Sequence, residues 1–195
     1  MSRPPLEPPP ASQLLKLNIG SGAHRQPGYL SVDNNENAGP VDVSHNLDVL
    51  PWPFAESSTG EVVMDHVLEH LEDTIGIIQE LYRICADGAT IVIRTPHYSC
   101  NWTHPGHKRA IGVGLFDHFD PRVEEHYGQC RFQVERVVLH WMRPRYRTSW
   151  MRTAVSAVID WFANLSPRLC QRLWCYWVGG FDEIEFRVHV VKHAW

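Results

Sequence analysis

The segment Leu14-Leu15-Lys16-Leu17-Asn18-Ile19-Gly20-Ser21-Gly22 narrows the fold more than any other stretch of this chain. Its apolar, strand-length start stops at two glycines, and glycine permits the turn and close backbone approach that let a strand end face a ligand. Asp33 closes the next strand-like run, Tyr29-Leu30-Ser31-Val32-Asp33, where a carboxylate can accept two ribose hydroxyl hydrogen bonds. A dinucleotide fingerprint fits less well. It asks for a third glycine at the helix start, where Arg25 stands, and for an acid about 20 residues on. Asp33 follows Gly22 by only 11 residues. The pair points to a nucleoside-containing ligand and away from a pyrophosphate.

Strand and helix signals alternate along the rest of the chain. Val41-Asp42-Val43 reads as a short third strand and Glu61-Val62-Val63-Met64-Asp65 as a fourth. Ile75, Ile78, Leu81 and Cys85 recur at helical spacing, with Asp73 or Thr74 as N-cap and Gly88 as the stop. Ala89-Thr90-Ile91-Val92-Ile93 is almost continuously apolar, as in a parallel-sheet strand covered on both faces. Phe132 to Leu139 and Ile184 to Val191 read as two more strands. The expectation is a Rossmann-like, doubly wound α/β fold with a mostly parallel seven-stranded sheet. At 195 residues and 22.5 kDa the length suits one domain. Residues 1–13 are expected to be a disordered Pro-rich tail and 14–195 the domain. Within it, 97–131 is read as an active-site loop and 149–178 as a helical lid insertion.

Composition excludes several classes. No uncharged apolar run approaches the roughly 18 residues of a membrane span, and the Pro-rich start lacks an apolar signal core, so export is not expected. Five cysteines without a C-x-x-C pair argue for reduced thiols and a cytoplasmic protein. Residues 1–100 hold 5 basic against 13 acidic side chains, and residues 101–195 hold 13 against 9. So acidic a half makes nucleic acid an unexpected partner, because phosphate attraction needs a contiguous basic field. The basic excess gathers at Arg143, Arg145, Arg147 and Arg152 among Trp141, Tyr146 and Trp150, a stripe read first as a solvated rim and second as a seat for an anionic acceptor or surface. The stripe Trp150, Ala154, Val155, Val158, Phe162, Leu165 is read as core or substrate lid rather than peripheral membrane contact, although its aromatics could receive a lipid-linked acceptor.

Four runs in order, L-N-I-G-S-G, G-Y-L-S-V-D, N-L-D-V-L-P-W-P-F and V-V-M-D-H-V-L-E-H-L, resemble the class I S-adenosylmethionine-dependent methyltransferases, and more narrowly a small bacterial-type group with the H-V-L-E-H-L motif. The resemblance covers roughly Leu14 to Lys192. It implies a last strand lying antiparallel between the fifth and sixth, and S-adenosylmethionine as cofactor. It implies that Gly20, Ser21 and Gly22 turn around the methionine portion, Asp33 holds the ribose, and Asn46 with Leu47 faces the adenine. Asp65 and His66 would lie beside the sulfonium and the acceptor. Asn18 and His24 depart from the acid and third glycine common in the family.

Methyl transfer from a sulfonium is an in-line displacement, so the protein's task is positioning and removal of the nucleophile's proton. His107 and His97, in the loop after the fifth strand, are the candidate catalytic residues, with His66 beside them. The expected acceptor is a small molecule or a glycan or lipid-linked group offering oxygen or nitrogen. The alternative is a non-catalytic binding or regulatory module on the same scaffold. His97, Cys100, His104 and His107 are spaced by three, four and three residues, a set zinc could accept. With no second cysteine nearby, metal is left out of the expected site, and a zinc-dependent hydrolase is the remoter alternative. Oligomeric state is not written in the sequence.

Overall fold

The computed structural model describes residues 14–34, 39–100, 104–120, 122–124, 126–128 and 130–192. The proposed tail, residues 1–13, lies outside the described residues. Seven strands form one sheet: β1 (Leu15–Ile19), β2 (Leu30–Asp33), β3 (Val43–Ser44), β4 (Thr59–Asp65), β5 (Cys85–Thr95), β6 (Phe132–His140) and β7 (Glu183–Val190). Their order is β3-β2-β1-β4-β5-β7-β6, with β7 antiparallel to both neighbours and the other pairings parallel. The expected Rossmann-like sheet, including its single reversed strand, is what forms.

Register sorts the side chains into two unlike faces. Leu17, Val62 and Ile91 stand in line, as do Ile19, Met64 and Ile93, and β7 adds Phe186 and Val188. All eight are fully buried. Helix α1 (Thr74–Ile84) covers this apolar face with Ile77, Ile78, Leu81 and Ile84, each contributing roughly 1.5–3 kcal/mol by leaving water. Its N-cap is Asp73, whose carboxylate accepts the Gly76 N–H at 2.9 Å. The opposite face carries ion pairs between strands, Lys16 with Glu61 (2.9 Å) and Arg94 with Glu185 (2.7 Å), and a hydrogen bond between His189 and Glu135 (2.9 Å).

The helix stops earlier than Gly88. It ends at Ile84, and Cys85 is already extended and opens β5. Pairing jumps from Thr59 opposite Cys85 to Glu61 opposite Thr90, so the residues between loop out of register, with Gly88 turning at φ +74°. Tertiary pairing has overridden helical spacing at Cys85. Helix α2 (Trp150–Leu165) lies along the outer strand β6 and leads into α3 (Pro167–Leu169) and a wide turn over Cys170–Trp174. The Asn164 carboxamide accepts from the Leu139 N–H and donates to the Leu139 carbonyl, both at 2.8 Å, blunting the sheet edge.

The segment after β5 is partly core. Phe116 and Phe119, in the short helical turn Leu115–Phe119, are buried, and Phe116 packs edge-on to Phe186 at 5.4 Å. His97 begins the segment and is completely buried. Its Nδ1 accepts from the Ser99 hydroxyl at 2.7 Å and the Ser99 N–H at 3.3 Å, leaving Nε2–H to donate to Gln171 Oε1 at 3.3 Å. Burial lowers its pKa to about 4. The folded protein therefore keeps His97 neutral where an unfolded chain would protonate it. Its contribution to stability is present above about pH 6.5 and fades as pH falls toward 4. Thermal unfolding across this window should show a steeper acid limb in the wild type than in His97→Gln. Parallel limbs would contradict the assignment.

Candidate functional site

The glycine turn closes onto β2. Gly20 (φ +67°) and Gly22 (φ +52°) are both left-handed. The Gly20 N–H donates to the Val32 carbonyl at 2.8 Å, and the Gly22 N–H donates to Asp33 Oδ2 at 2.8 Å. A Cβ at Gly20 would fall 2.2 Å from Val67 Cγ2, so the turn is also pressed against the chain leaving β4. Ser21 is buried, and Asn18 donates to the His24 carbonyl at 2.9 Å, fixing the strand-to-turn corner.

Beyond β3, the His45 N–H donates to the Asp33 carbonyl at 3.1 Å, which sets Asn46 and Leu47 next to the β2 end. Asn46 Oδ1 accepts the Asp48 N–H at 3.1 Å, and Leu47 is buried beneath Trp52, whose indole N–H meets the Leu47 carbonyl at 3.1 Å. Gly20, Ser21, Gly22, Asp33, Asn46 and Leu47 thus gather at the adjacent ends of three parallel strands. A cleft of about 360 Å³ runs beside the turn, lined by Asn18, Gly20, Gly22, Asp65 and Arg94 among others. Close backbone, a carboxylate and an amide beside buried leucine are the parts that could hold an adenosyl group.

His66 sits where β4 ends, in a left-handed conformation at φ +56° that non-glycine residues rarely adopt. Its Nε2 meets Glu183 at 2.7 Å and its Nδ1 meets Glu69 at 3.1 Å. Burial alone would lower its pKa, but the hydrogen bonds to Glu183 and Glu69 outweigh burial and raise it to about 9. Both ring nitrogens therefore donate at neutral pH, and the imidazolium ties two buried carboxylates together rather than accepting a proton. Asp65, half-exposed beside it, lines both the first cleft and a second of about 440 Å³ that Arg94, Arg143, Arg145 and Glu183 also border. Arg143 is buried there, and among the described residues its Nε has no hydrogen-bond partner, standing 3.9 Å from Glu183.

The loop histidines separate. His97 is held by Ser99 and Gln171, and the Cys100 thiol points to Asp182 at 3.4 Å. His104 and His107 stack at 4.5 Å instead, with His70 edge-on to His107 at 5.0 Å. The four residues spaced like zinc ligands in the sequence are thus not gathered as a set. Sequence reasoning assigned no site role to Glu69, Glu183 or Gln171. The available signal was a carboxylate inside an apolar run, H-V-L-E-H-L and D-E-I-E-F, where burial demands partners.

The helical segment expected as core or lid stands largely in solvent. Trp150 is 81% exposed and Trp177 84%, and Met151, Val158, Trp161, Leu165 and Leu173 are exposed as well. An apolar groove of about 590 Å³ runs between Phe162, Leu165, Leu169, Leu173 and Trp177. Among the described residues no helix is long and apolar enough to cross a membrane.

No protein-family model matches this sequence, and no curated protein matches it. Solved structures do match by fold. An S-adenosylmethionine-dependent methyltransferase from Mesorhizobium loti superposes with a TM-score of 0.56 at 16% identity, over 91% of each chain. One from Archaeoglobus fulgidus gives 0.52 at 15%, over 90% of this chain and 86% of its own. The [4+2]-cyclase SpnF gives 0.56 at 11%, over 92% and 75%. At such identities the likeness establishes architecture: the chain has the class I methyltransferase fold.

Proposed function

We propose that the protein transfers a methyl group from S-adenosylmethionine to an acceptor oxygen or nitrogen. The closed turn at Gly20–Gly22, hydrogen-bonded to the Asp33 carboxylate at 2.8 Å, carries this reading, and methyltransferases among the proteins of like fold support it. The acceptor lone pair attacks the methyl carbon, the carbon–sulfur pair stays on sulfur, and a proton leaves the acceptor. Asp33 holds the ribose, Asn46 and Leu47 the adenine, and Asp65 stands at the reacting end. His107 lines the acceptor side. His66 organises charge there through Glu69 and Glu183, and His97 positions the loop from below. S-adenosylhomocysteine at about a hundred times its dissociation constant should stabilise the fold by about 2.7 kcal/mol. Asp33→Ala should erase most of the accompanying rise in melting temperature. No shift at millimolar ligand would favour the alternative of a binding module without the cofactor.

The exposed helical segment from α2 to Trp177 supports a lipid-linked acceptor approached at a bilayer. Residues 141–178 contain six arginines and a single acid, Asp160, which is paired with Arg147 at 2.6 Å. Arg145, Arg152 and Arg172 are exposed around Trp150, Trp161 and Trp177. Aromatics with a cationic rim suit the interface of an anionic bilayer, whereas a second copy would bring like charges together. Arg143 borders the 440 Å³ cleft, where its guanidinium would meet the acceptor's anionic group. Vesicles containing phosphatidylglycerol should bring the protein along in flotation, neutral phosphatidylcholine vesicles far less. The double variant Trp150→Ala, Trp177→Ala should stay behind. A dimer in solution that ignores both vesicles would overturn this placement.

A further inference from the structure

We infer that Glu69, His70 and His107 form a divalent-cation site, best suited to zinc. One ligand atom from each lies within 4.8 Å of the other two, close enough for small side-chain adjustments to bring all three to one ion. The set differs from the loop spacing in the sequence, sharing only His107 with it, and it reverses the expectation of no metal.

Three features orient the ligands. His70 Nδ1 donates to the Gly106 carbonyl at 2.8 Å, which fixes the tautomer and leaves the Nε2 lone pair, 4.0 Å from Glu69 Oε1, for a ligand. A carbonyl behind a metal-binding imidazole is the usual outer support of such a site. A Cβ at Gly106 would stand in ordinary contact with His70 Nδ1 at 3.4 Å and slightly close to His104 at 3.3 Å. Glu69 is 1% exposed; its Oε2 accepts from the Thr95 hydroxyl at 3.2 Å and its Oε1 from His66 Nδ1 at 3.1 Å, so the carboxylate is held at a fixed angle and Oε1 would offer its second lone pair to the ion. Its carbonyl also accepts the Lys108 N–H at 2.8 Å, pinning the His107 segment alongside.

The chemistry of the set selects the ion. Two imidazoles and one carboxylate suit zinc over magnesium or calcium, which prefer all-oxygen shells. Three protein ligands also leave a fourth position open, as in catalytic zinc sites. Both segments leave the C-terminal ends of neighbouring strands, β4 and β5, the side where open α/β sheets place their ligands. The role rests on the methyltransferase reading: the open position would take an acceptor hydroxyl. The bound O–H loses its proton to water, the oxygen–carbon bond forms, and the carbon–sulfur bond breaks with its electron pair on sulfur.

The test uses full-length, tag-free protein stripped with a chelator and titrated with zinc alone by calorimetry, and with cobalt for its visible d–d bands. One equivalent should bind, and His70→Ala and His107→Ala should each weaken binding at least about tenfold and lose the cobalt spectrum. Circular dichroism of the metal-free variants checks that they fold. Zinc that fails to bind, or binds equally well in both folded variants, overturns the site. S-adenosylhomocysteine binding measured on the same stripped protein separates the two readings. A ligand shift without zinc binding removes the metal site alone, and zinc binding without a ligand shift removes the cofactor reading alone.

Discussion

The carboxylate of Glu69 is the interaction on which the ligand-bearing end of the sheet depends. It is buried, and a buried carboxylate is tolerated only when charged or polar partners replace water. Here the partners come from separate segments: His66 from the end of β4, Thr95 from the end of β5, and through the Glu69 main chain Lys108 from the loop beyond. His66 in turn reaches Glu183 on β7. One small network thus fixes the ends of three adjacent strands relative to one another. The left-handed backbone at His66 is a local strain that these bonds hold in place.

The sheet makes this network accessible by being unlike on its two sides. Parallel sheets are ordinarily covered on both faces. Here α1 and the Phe116–Phe119 turn cover the apolar side, while the other side exposes ion pairs such as Lys16–Glu61 and Arg94–Glu185. Exposed pairs of that kind add little stability, typically under about 1 kcal/mol each, so the apolar side carries most of the folding free energy. Both clefts share Arg94 and Asp65, whose register puts them on the ion-pair side at the strand ends.

Much of the fold was legible because strand signals in this chain are local. Alternation and the glycine stop define β1, Asp33 ends β2, and Ile91 to Ile93 read as a buried strand without reference to anything distant. The boundary between α1 and β5 was not legible. Cys85 continues the helical spacing, and only its pairing opposite Thr59 pulls it into the sheet. The candidate site shows the same division. Gly20, Gly22 and Asp33 are close in sequence and come together as expected, whereas His97 and His107 are separated by burial that no spacing reveals. Glu183 is 117 residues from the His66 it bonds, a contact made by topology alone. The core half of the reading of the α2 stripe fails for a related reason, since its apolar residues stand exposed. Helical periodicity marks an apolar face, and it leaves open whether protein, lipid or solvent lies against it.

The connection from Gly20 to Tyr29 contains turns and bends but no helix. In most open α/β folds a helix begins immediately after this glycine turn, and its N-terminal partial positive charge is available to an anion. Without that macrodipole, a cofactor carboxylate at this end would be met by individual loop amides and by the side chains of His24 and Arg25. Attraction resting on an exposed guanidinium is screened by dissolved ions far more readily than an array of aligned peptide dipoles. The grip on the amino-acid tail of the ligand should therefore respond to ionic strength, while the nucleoside end, held by Asp33 and buried Leu47, should be nearly indifferent to it.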